Sequence, residues 1–414
     1  MSASPPNSPE TKLERYRVGG SVRDQLLGLE PSDQDWVVVG STPEEMRSLG
    51  FQPVGKDFPV FLHPDTKEEY ALARGRSPDG ALQFRPDVTL EEDLARRDLR
   101  INAMAMTADG KLIDPFHGQQ DLKNRLLRHL PHFEDDPLRL LRLARLAAQL
   151  DFQVTPATCK LAGDMAANNQ LDKIAPERQW QELKKALLTP SPRRFVEVLR
   201  QCRILRAFLP EIDELFGIPQ PKRYHPEIDT GEHVLLTLDK VVALSNAPEV
   251  RFAVLLHDLG KAATAREFWP SHRGHEALGV PLVDRVCQRL RVPLRYQRLA
   301  RKTARYHLLA HMAFDLKPDT VEKLLSDLDA WRNPDDFERF LVAAQADAQG
   351  RKGLQNKPYP QAEYLRQARQ AAARISAADL PASLSGKKIG DAIHRLRCQK
   401  IAEIRKSFGC ISSR

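Results

Sequence analysis

The sequence predicts an α+β protein: a module of alternating strands and helices at the N-terminus, then a remainder built from helices alone. Three observations carry this prediction. A chain of 414 residues exceeds one ordinary core and divides into about two to four domains. Up to about residue 130, short apolar runs alternate with Gly and Pro punctuation. After HLPHFEDDP, apolar residues recur at helical spacing and Pro-containing breaks separate the segments.

The opening SASPPNSPE is rich in Pro and Ser and reads as a disordered tail over residues 1–13, with the fold beginning near Leu13 or Tyr16. YRVGG, DWVVVG, PVFLH, EEYALAR and KLIDPF have the β-branched and aromatic content of strands. SVRDQLLG, TPEEMRSLG and LARRDLRINAMAM read as helices between them. Beyond the break, PLRLLRLARLAAQL, ATCKLAGDMAANNQL, PERQWQELKKALL and RRFVEVLRQCRILRAFL are amphipathic helices, and helix continues to residue 414. No internal repeat interrupts this pattern.

The 63 Lys and Arg residues against 55 acidic ones give a net charge of +8, which suits a polyanionic partner such as a nucleic acid. Cys159, Cys202, Cys287, Cys398 and Cys410 show no C-x-x-C spacing, which points to neither a zinc site nor a disulfide framework and fits a reducing cytoplasm. The N-terminus lacks the apolar core of a secretory signal. No run of about 18 apolar residues exists to span a membrane.

Chemistry enters with VGGSVRDQLLGLEPSDQDWVVV. Residues i and i+2 of a strand share a face, so Asp33 and Asp35 project together while the valines anchor the strand. Paired carboxylates repel, and a divalent cation with oxygen ligands, most often Mg²⁺ beside a phosphate, relieves the repulsion. A solvated turn can carry the same D-x-D. The preceding Gly19 and Gly20 lead into a helix whose backbone N–H groups can face a phosphate, and Arg23 can add charge-assisted bonds to a triphosphate. Glycine cradle, arginine and carboxylate pair together suit two-metal nucleotidyl transfer, in which charge stabilisation carries most of the rate.

GGSVRDQLLG followed by DQDWVVVG resembles the head of the class II tRNA nucleotidyltransferase and poly(A) polymerase family. The resemblance continues in order through EEYALAR, RRDLRINAMAM, LIDPFHGQQDLKNRLLRH, EDDPLRLLRLARLAA and APERQWQELKKAL, covering almost the whole chain. It implies Asp33 and Asp35 as catalytic magnesium ligands and Gly20, Arg23 and Arg97 as nucleotide contacts, with Asp98 beside them. Glu69 is a candidate third carboxylate. Asn102, Asp114 and Gly118 are expected to hold loops.

Arg139, Arg142 and Arg145 recur every three residues on one broad helix face, a pattern that solvated faces also show. After Asp135 and Asp136 they resemble the family's E-D-x-x-R segment. The resemblance implies that Asp136 and Arg139 read the base of CTP or ATP, with Arg142 and Arg145 supporting base and triphosphate. An Arg donates in a fixed plane and an Asp accepts, which together can complement cytosine or adenine without a template.

A second constellation follows in VRFAVLLHDLGK, where His257 and Asp258 end an apolar helix and can offer nitrogen and oxygen to a metal. His233 lies upstream, and His275, His307 and Asp347 downstream. This order resembles the HD phosphohydrolase superfamily. The likeness implies His233, His257, Asp258 and Asp347 as ligands of a divalent transition metal, Ni²⁺ among the candidates, serving 2′,3′-cyclic phosphodiesterase, 2′-nucleotidase and phosphatase activity. Leu308 follows His307 where relatives often carry Asp.

A head of the first kind joined to a domain of the second is found among proteobacterial CCA-adding members of the family. The architecture so implied is a head over residues 14–130 with a small mixed sheet, a helical neck and body over 131–227 that selects nucleotide and binds tRNA, an HD domain over 228–331 and a helical tail over 332–414. The expected function is untemplated addition of C, C and A to the tRNA 3′ end from CTP and ATP, with release of pyrophosphate. Poly(A) polymerisation, or an HD phosphohydrolase whose head docks RNA, are the alternatives. The expected setting is cytoplasmic, with no membrane partner; monomer and dimer both remain open.

Overall fold

The computed structural model of the chain describes residues 9–30, 34–54, 60–76, 82–381 and 385–411. Two compact units divide it, Met1–Gln170 and Leu171–Arg414. The division falls well after residue 130, because β10 (Leu126–Leu127) pairs in parallel with β11 (Gln153–Val154) and keeps the intervening helix in the first unit.

The first unit is organised by a seven-stranded mixed sheet in the order β3-β4-β5-β2-β1-β8-β9. Its strands are β1 (Glu14–Val18), β2 (Asp35–Val39), β3 (Gln52–Val54), β4 (Val60–Leu62), β5 (Glu69–Leu72), β8 (Ala105–Met106) and β9 (Leu112–Ile113). A separate hairpin joins β6 (Arg74–Arg76) to β7 (Leu82–Phe84). Alternation along β2 sorts its side chains: Val37 joins Val18, Leu90, Leu94 and Ala105 on one face, while Val38 joins Met46, Phe61, Tyr70 and Leu72 on the other. Burial of both faces is why the run reads as continuous valine.

The helices of this unit are α1 (Gly20–Leu26), α2 (Pro43–Ser48), α3 (Leu90–Ala95), α4 (Gly118–Lys123), α5 (Arg139–Leu150) and α6 (Pro156–Ala167). Thr42 and Thr89 cap α2 and α3 through their hydroxyls, and Glu92 completes a capping box. The predicted helix over LARRDLRINAMAM does not form. Asp98 Oδ1 accepts from Leu99 N at 2.9 Å and from Asn102 Nδ2 at 2.8 Å, so side chains compete with the helical ladder; a short 3-10 turn, Arg100–Asn102, and β8 result. Part of the tail expected to be disordered over residues 1–13 is ordered, since Pro9–Lys12 form a 3-10 turn and Glu10 is buried against His63 Nε2 at 2.9 Å; residues 1–8 of that expectation lie outside the described residues.

The second unit is helical: α7 (Pro176–Leu187), α8 (Pro192–Gln201), α9 (Leu205–Phe208), α10 (Pro210–Asp213), α11 (Thr230–Leu244), α12 (Pro248–Leu256), α13 (His275–Arg289), α14 (Leu294–His311), α15 (Pro318–Asp327), α16 (Pro334–Gln349), α17 (Pro360–Ala373) and α18 (Lys387–Ile411). RRFVEVLRQCRILRAFL, expected as one helix, breaks between α8 and α9 where Arg203 takes a positive φ of 59°. Trp180 packs edge-on to Phe252 and Tyr296, tying α7, α12 and α14 together. Buried Arg251 satisfies carbonyls at the end of α7, its Nη1 donating to Leu187 O at 2.7 Å. Cys287 and Cys398 are free thiols. Among the described residues no helix is long and apolar enough to cross a membrane.

Candidate active sites in the head and the HD unit

The register of the sheet builds the first site. Asp35 begins β2, opposite Val18 of β1 and in parallel register with Glu69 of β5, so the two acidic residues stand side by side on one face. Both are exposed, at the end of a face otherwise filled by Val18 and Val37. Glu69 therefore stands where the third carboxylate was expected, while Asp33 lies outside the described residues.

Gly19 joins β1 to α1 with φ 75°, and a Cβ built there would lie 2.8 Å from Arg97 Nη1. Only glycine permits this close approach of guanidinium to backbone. Arg97 is partly held by Asp93 Oδ2 at 3.2 Å, yet its Nε is a buried donor with no acceptor, as is Nε of neighbouring Arg96, whose Nη1 pairs with Asp135 Oδ2 at 3.6 Å. Unsatisfied buried donors cost about 1–3 kcal/mol each, and an anionic ligand would satisfy them.

Behind this surface runs a buried polar chain. Arg23 Nη1 donates to Asn102 Oδ1 at 2.8 Å, Asn102 Nδ2 donates to Asp98 Oδ1 at 2.8 Å, and Arg142 donates to Asp98 Oδ2 through Nε at 3.0 Å and Nη2 at 2.9 Å. Burial opposes the charge on Asp98, but Arg142 and Asn102 overcome it and bring the carboxyl down to about 2. Arg23 is itself buried and also bonds Asp24, so it is turned inward instead of projecting as the open phosphate hook expected from sequence. Gly20 opens α1 with its missing side chain 3.5 Å from that guanidinium.

The predicted arginine stripe sits on α5 but divides in role. Arg139 donates to the carbonyls of His132 and Arg96, and burial lowers its pKa. Arg142 and Arg145 are half-exposed, with Arg145 reaching Gln149. Asp136 Oδ1 accepts from Leu138 N at 3.0 Å and so orders the turn into α5, beside Asp135, which lies 3.6 Å from Arg96. Asp114 holds the N-terminus of α4 by accepting from Gly118 N and Gln119 N, the loop role expected of it.

In the second unit four helices converge. His233 comes from α11, His257 from the end of α12 with Asp258 just beyond, His307 and His311 from α14, and Asp347 from α16. His233 Nε2 is 3.0 Å from Asp347 Oδ1 and 3.7 Å from Asp258 Oδ2; His257 Nε2 is 3.2 Å from Asp258 Oδ2. All four predicted ligands are therefore brought together and are nearly fully buried. Asp347 lies beyond residue 331, so the helices around the site continue past the expected end of the domain.

Backbone carbonyls fix the histidine tautomers. His257 Nδ1 faces Val254 O at 2.7 Å, His275 Nδ1 faces His272 O at 2.9 Å and His307 Nδ1 faces Thr303 O at 2.9 Å, which leaves each Nε2 lone pair turned inward. His275 and His307 approach Asp258 Oδ1 at 3.4 and 3.6 Å, on the side away from His233 and His257. Burial disfavours the charge on Asp258, yet His257 and Lys261 hold it well below the ordinary carboxylate range; His311 and Arg351 do the same for Asp347 against its burial. Burial keeps His307 well below its usual value, hence neutral and able to ligate.

These donors fit a metal. His257 Nε2 and Asp258 Oδ1 are buried without hydrogen-bond partners, and the sets His233, His257, Asp258 and Asp258, His275, His307 each bring their donor atoms within 4.8 Å of one another. Sequence reasoning left out Glu227, 3.0 Å from His233 Nδ1, and Lys261, 2.6 Å from Asp258; the latter was legible as the basic residue one turn after the HD pair. His311, which reaches Asp347 Oδ2 at 2.6 Å, was equally legible four residues after His307.

Three family models match the chain in succession. Residues 15–128 match the Poly A polymerase head domain, 151–216 the family described as probable RNA and SrmB-binding site of polymerase A, and 230–333 the HD domain. A CCA-adding enzyme in complex with ATP shares the fold at TM-score 0.64 and 21% identity, over 95% of this chain and 86% of that one. Thermotoga maritima CCA-adding enzyme complexed with tRNA shares it at TM-score 0.62 and 20% identity, over 96% and 92% of the chains. The multifunctional CCA protein of Nitrosococcus oceani is 53% identical, covering 94% of this chain and 98% of its own. That of Alkalilimnicola ehrlichii is 52% identical over 96% of this chain and 98% of its own, and by this likeness the chain belongs to the family of multifunctional CCA proteins.

Proposed function

We infer that the protein is a tRNA nucleotidyltransferase that adds C, C and A to the tRNA 3′ end from CTP and ATP. The observation that carries the reading is the coincidence, in one unit, of Asp35 and Glu69 on one sheet face with Arg97, whose Nη1 lies over Gly19 and whose Nε lacks an acceptor. Divalent cations, Mg²⁺ in this proposal, would supply Lewis-acid charge neutralisation to the triphosphate when held by Asp35 and its acidic neighbours Asp33 and Glu69. Arg97, with Arg96 next to it in the chain, binds phosphate oxygens by charge-assisted hydrogen bonds. Asp98 keeps Arg142 oriented for the incoming nucleotide, and the inward bonds of Arg23 and Arg139 hold the walls that support it.

Asp136, bonded to Leu138 N, stands on a turn that Arg139 stiffens by holding the carbonyls of His132 and Arg96, and a rigid segment of this kind favours selection of the base by fixed hydrogen-bond shape. The basic helices that follow residue 130 grip the tRNA backbone by charge and shape. The head, neck and HD portions act as separate functional regions, the head with its site at Asp35 and the HD portion with its site at Asp258.

The orphaned His257 Nε2 and Asp258 Oδ1 favour a second activity, hydrolysis of phosphoesters, with a cyclic 2′,3′-phosphate or a 2′-phosphate as substrate. A transition metal, Ni²⁺ in this proposal, would supply a Lewis acid at His233, His257, Asp258 and Asp347. Lys261 and Arg351 balance the two carboxylates there.

The test incubates the purified chain with Mg²⁺, CTP, ATP and a tRNA transcript lacking CCA, then sequences the 3′ ends. Uniform CCA ends support the reading. A run of A supports poly(A) polymerisation instead, and unchanged ends overturn nucleotidyl transfer.

A further inference from the structure

In the second unit α15 packs against helix α18 and brings together four metal-binding side chains that neither activity uses. His394 and Cys398, in HRLRC, are four residues apart and share a face of α18. Asp319 and Glu322, in DTVE, face them from α15. His394 Nε2 lies 2.8 Å from Asp319 Oδ1 and 3.6 Å from Cys398 Sγ, and the donor atoms of these three residues lie within 4.8 Å of one another.

The other ring nitrogen supplies an independent observation. His394 Nδ1 donates to Glu322 Oε2 at 2.9 Å, and that carboxylate is only 6% exposed and further held by Ser326 Oγ at 3.2 Å and Arg397 at 3.6 Å. A buried carboxylate on the far nitrogen is how proteins orient a ligating imidazole.

We propose that Asp319, His394 and Cys398 form a binding site for a divalent metal ion, zinc by its mixed oxygen, nitrogen and sulfur donors, with Glu322 as the positioning residue. The N–S separation already suits tetrahedral zinc, whose bonds of roughly 2.0–2.3 Å put such donors about 3.5 Å apart. Asp319, with 74% of its side chain in water, is free to withdraw the half ångström the ion needs. Binding replaces the Nε2 proton of the imidazolium and the thiol proton of Cys398, so two protons leave as one dication enters and the local charge is unchanged. The fourth position faces solvent. The ion would clamp α18 to α15.

Cobalt(II) distinguishes this site from the others, because neither the HD cluster nor the head cluster contains a thiolate. Titrating the reduced full chain with Co²⁺ should produce a thiolate-to-cobalt charge-transfer band that zinc displaces. The band should vanish in C398S and H394A, which retain CCA addition as evidence of folding, and E322Q should weaken binding about 10–100-fold. No band in the wild-type chain at saturating Co²⁺, or a band that persists in C398S, overturns the site; equal affinity in E322Q overturns the role of Glu322.

Discussion

Replacing Asp98 by Asn tests the buried chain behind the head site. The carboxyl sits at about 2 where an ordinary aspartate has 3.8. At about 1.4 kcal/mol per pKa step, ionised Asp98 is worth about 2 to 3 kcal/mol at neutral pH. Arg142 keeps 38% of its side chain in water, so screening trims the expected loss in D98N to about 2 kcal/mol. The sign follows from a lowered carboxylate pKa. The stabilisation is complete above about pH 4 and disappears as the pH falls through about 2, so the gap between parent and D98N should narrow on acidification.

Urea unfolding near pH 7 and near pH 3, followed by hydrogen exchange in peptides of the N-terminal unit, measures that gap separately from the second unit. A cycle with Arg142→Met should assign most of it to the pair. Arg142, released, should raise the KM for CTP and ATP more than it lowers kcat. A gap below about 0.5 kcal/mol at both pH values, or one that widens in acid, refutes the argument.

Asp35→Ala, at an exposed strand end, should lower nucleotide incorporation by at least about 100-fold while leaving the urea midpoint unchanged. Gly19→Ala should destabilise the N-terminal unit by about 1–2 kcal/mol and raise the KM for nucleotides, because its methyl group meets Arg97 Nη1 at 2.8 Å in a positive-φ conformation. His257→Ala should abolish hydrolysis of a 2′,3′-cyclic phosphate and leave CCA addition within about twofold, measured on the same preparation. Gly260→Ala should unfold the HD site, seen as lost metal-dependent thermal stabilisation, since a Cβ there would lie 1.9 Å from His275 O.

The valine run of β2, the helix beginning at Gly20 and the HD pair were legible because each is a local pattern: β propensity, glycine before a helix, and two adjacent donors ending an apolar stretch. LARRDLRINAMAM was not. Its apolar spacing suits a helix, but the side chains of Asp98 and Asn102 divert the backbone, and only three-dimensional pairing with Arg23 and Arg142 makes that conformation hold. The inward turn of Arg23 and Arg139 was hidden for a related reason. Sequence shows that an arginine can bind phosphate; it does not show that a neighbouring Asn or carbonyl has already claimed its donors. Glu227 illustrates the same limit, being close to His233 only because the chain turns between them. The cysteines mislead in the opposite direction, since Cys398 has no partner cysteine nearby in sequence yet stands beside His394 and opposite Asp319.

His233 and Asp347 are separated by 114 positions along the chain and meet within 3.0 Å. A cation held by both would bind the folded chain and not the unfolded one, so its binding free energy would add to the stability of the C-terminal unit, by about 2.7 kcal/mol at one hundred times its dissociation constant. The HD cluster would then be a fastener as well as a reaction centre. Loss of an ion there would loosen α16 from α11 even where no substrate is present. A fragment cut at residue 333, the end of the HD match, keeps the HD pair but forfeits both Asp347 and this stabilisation.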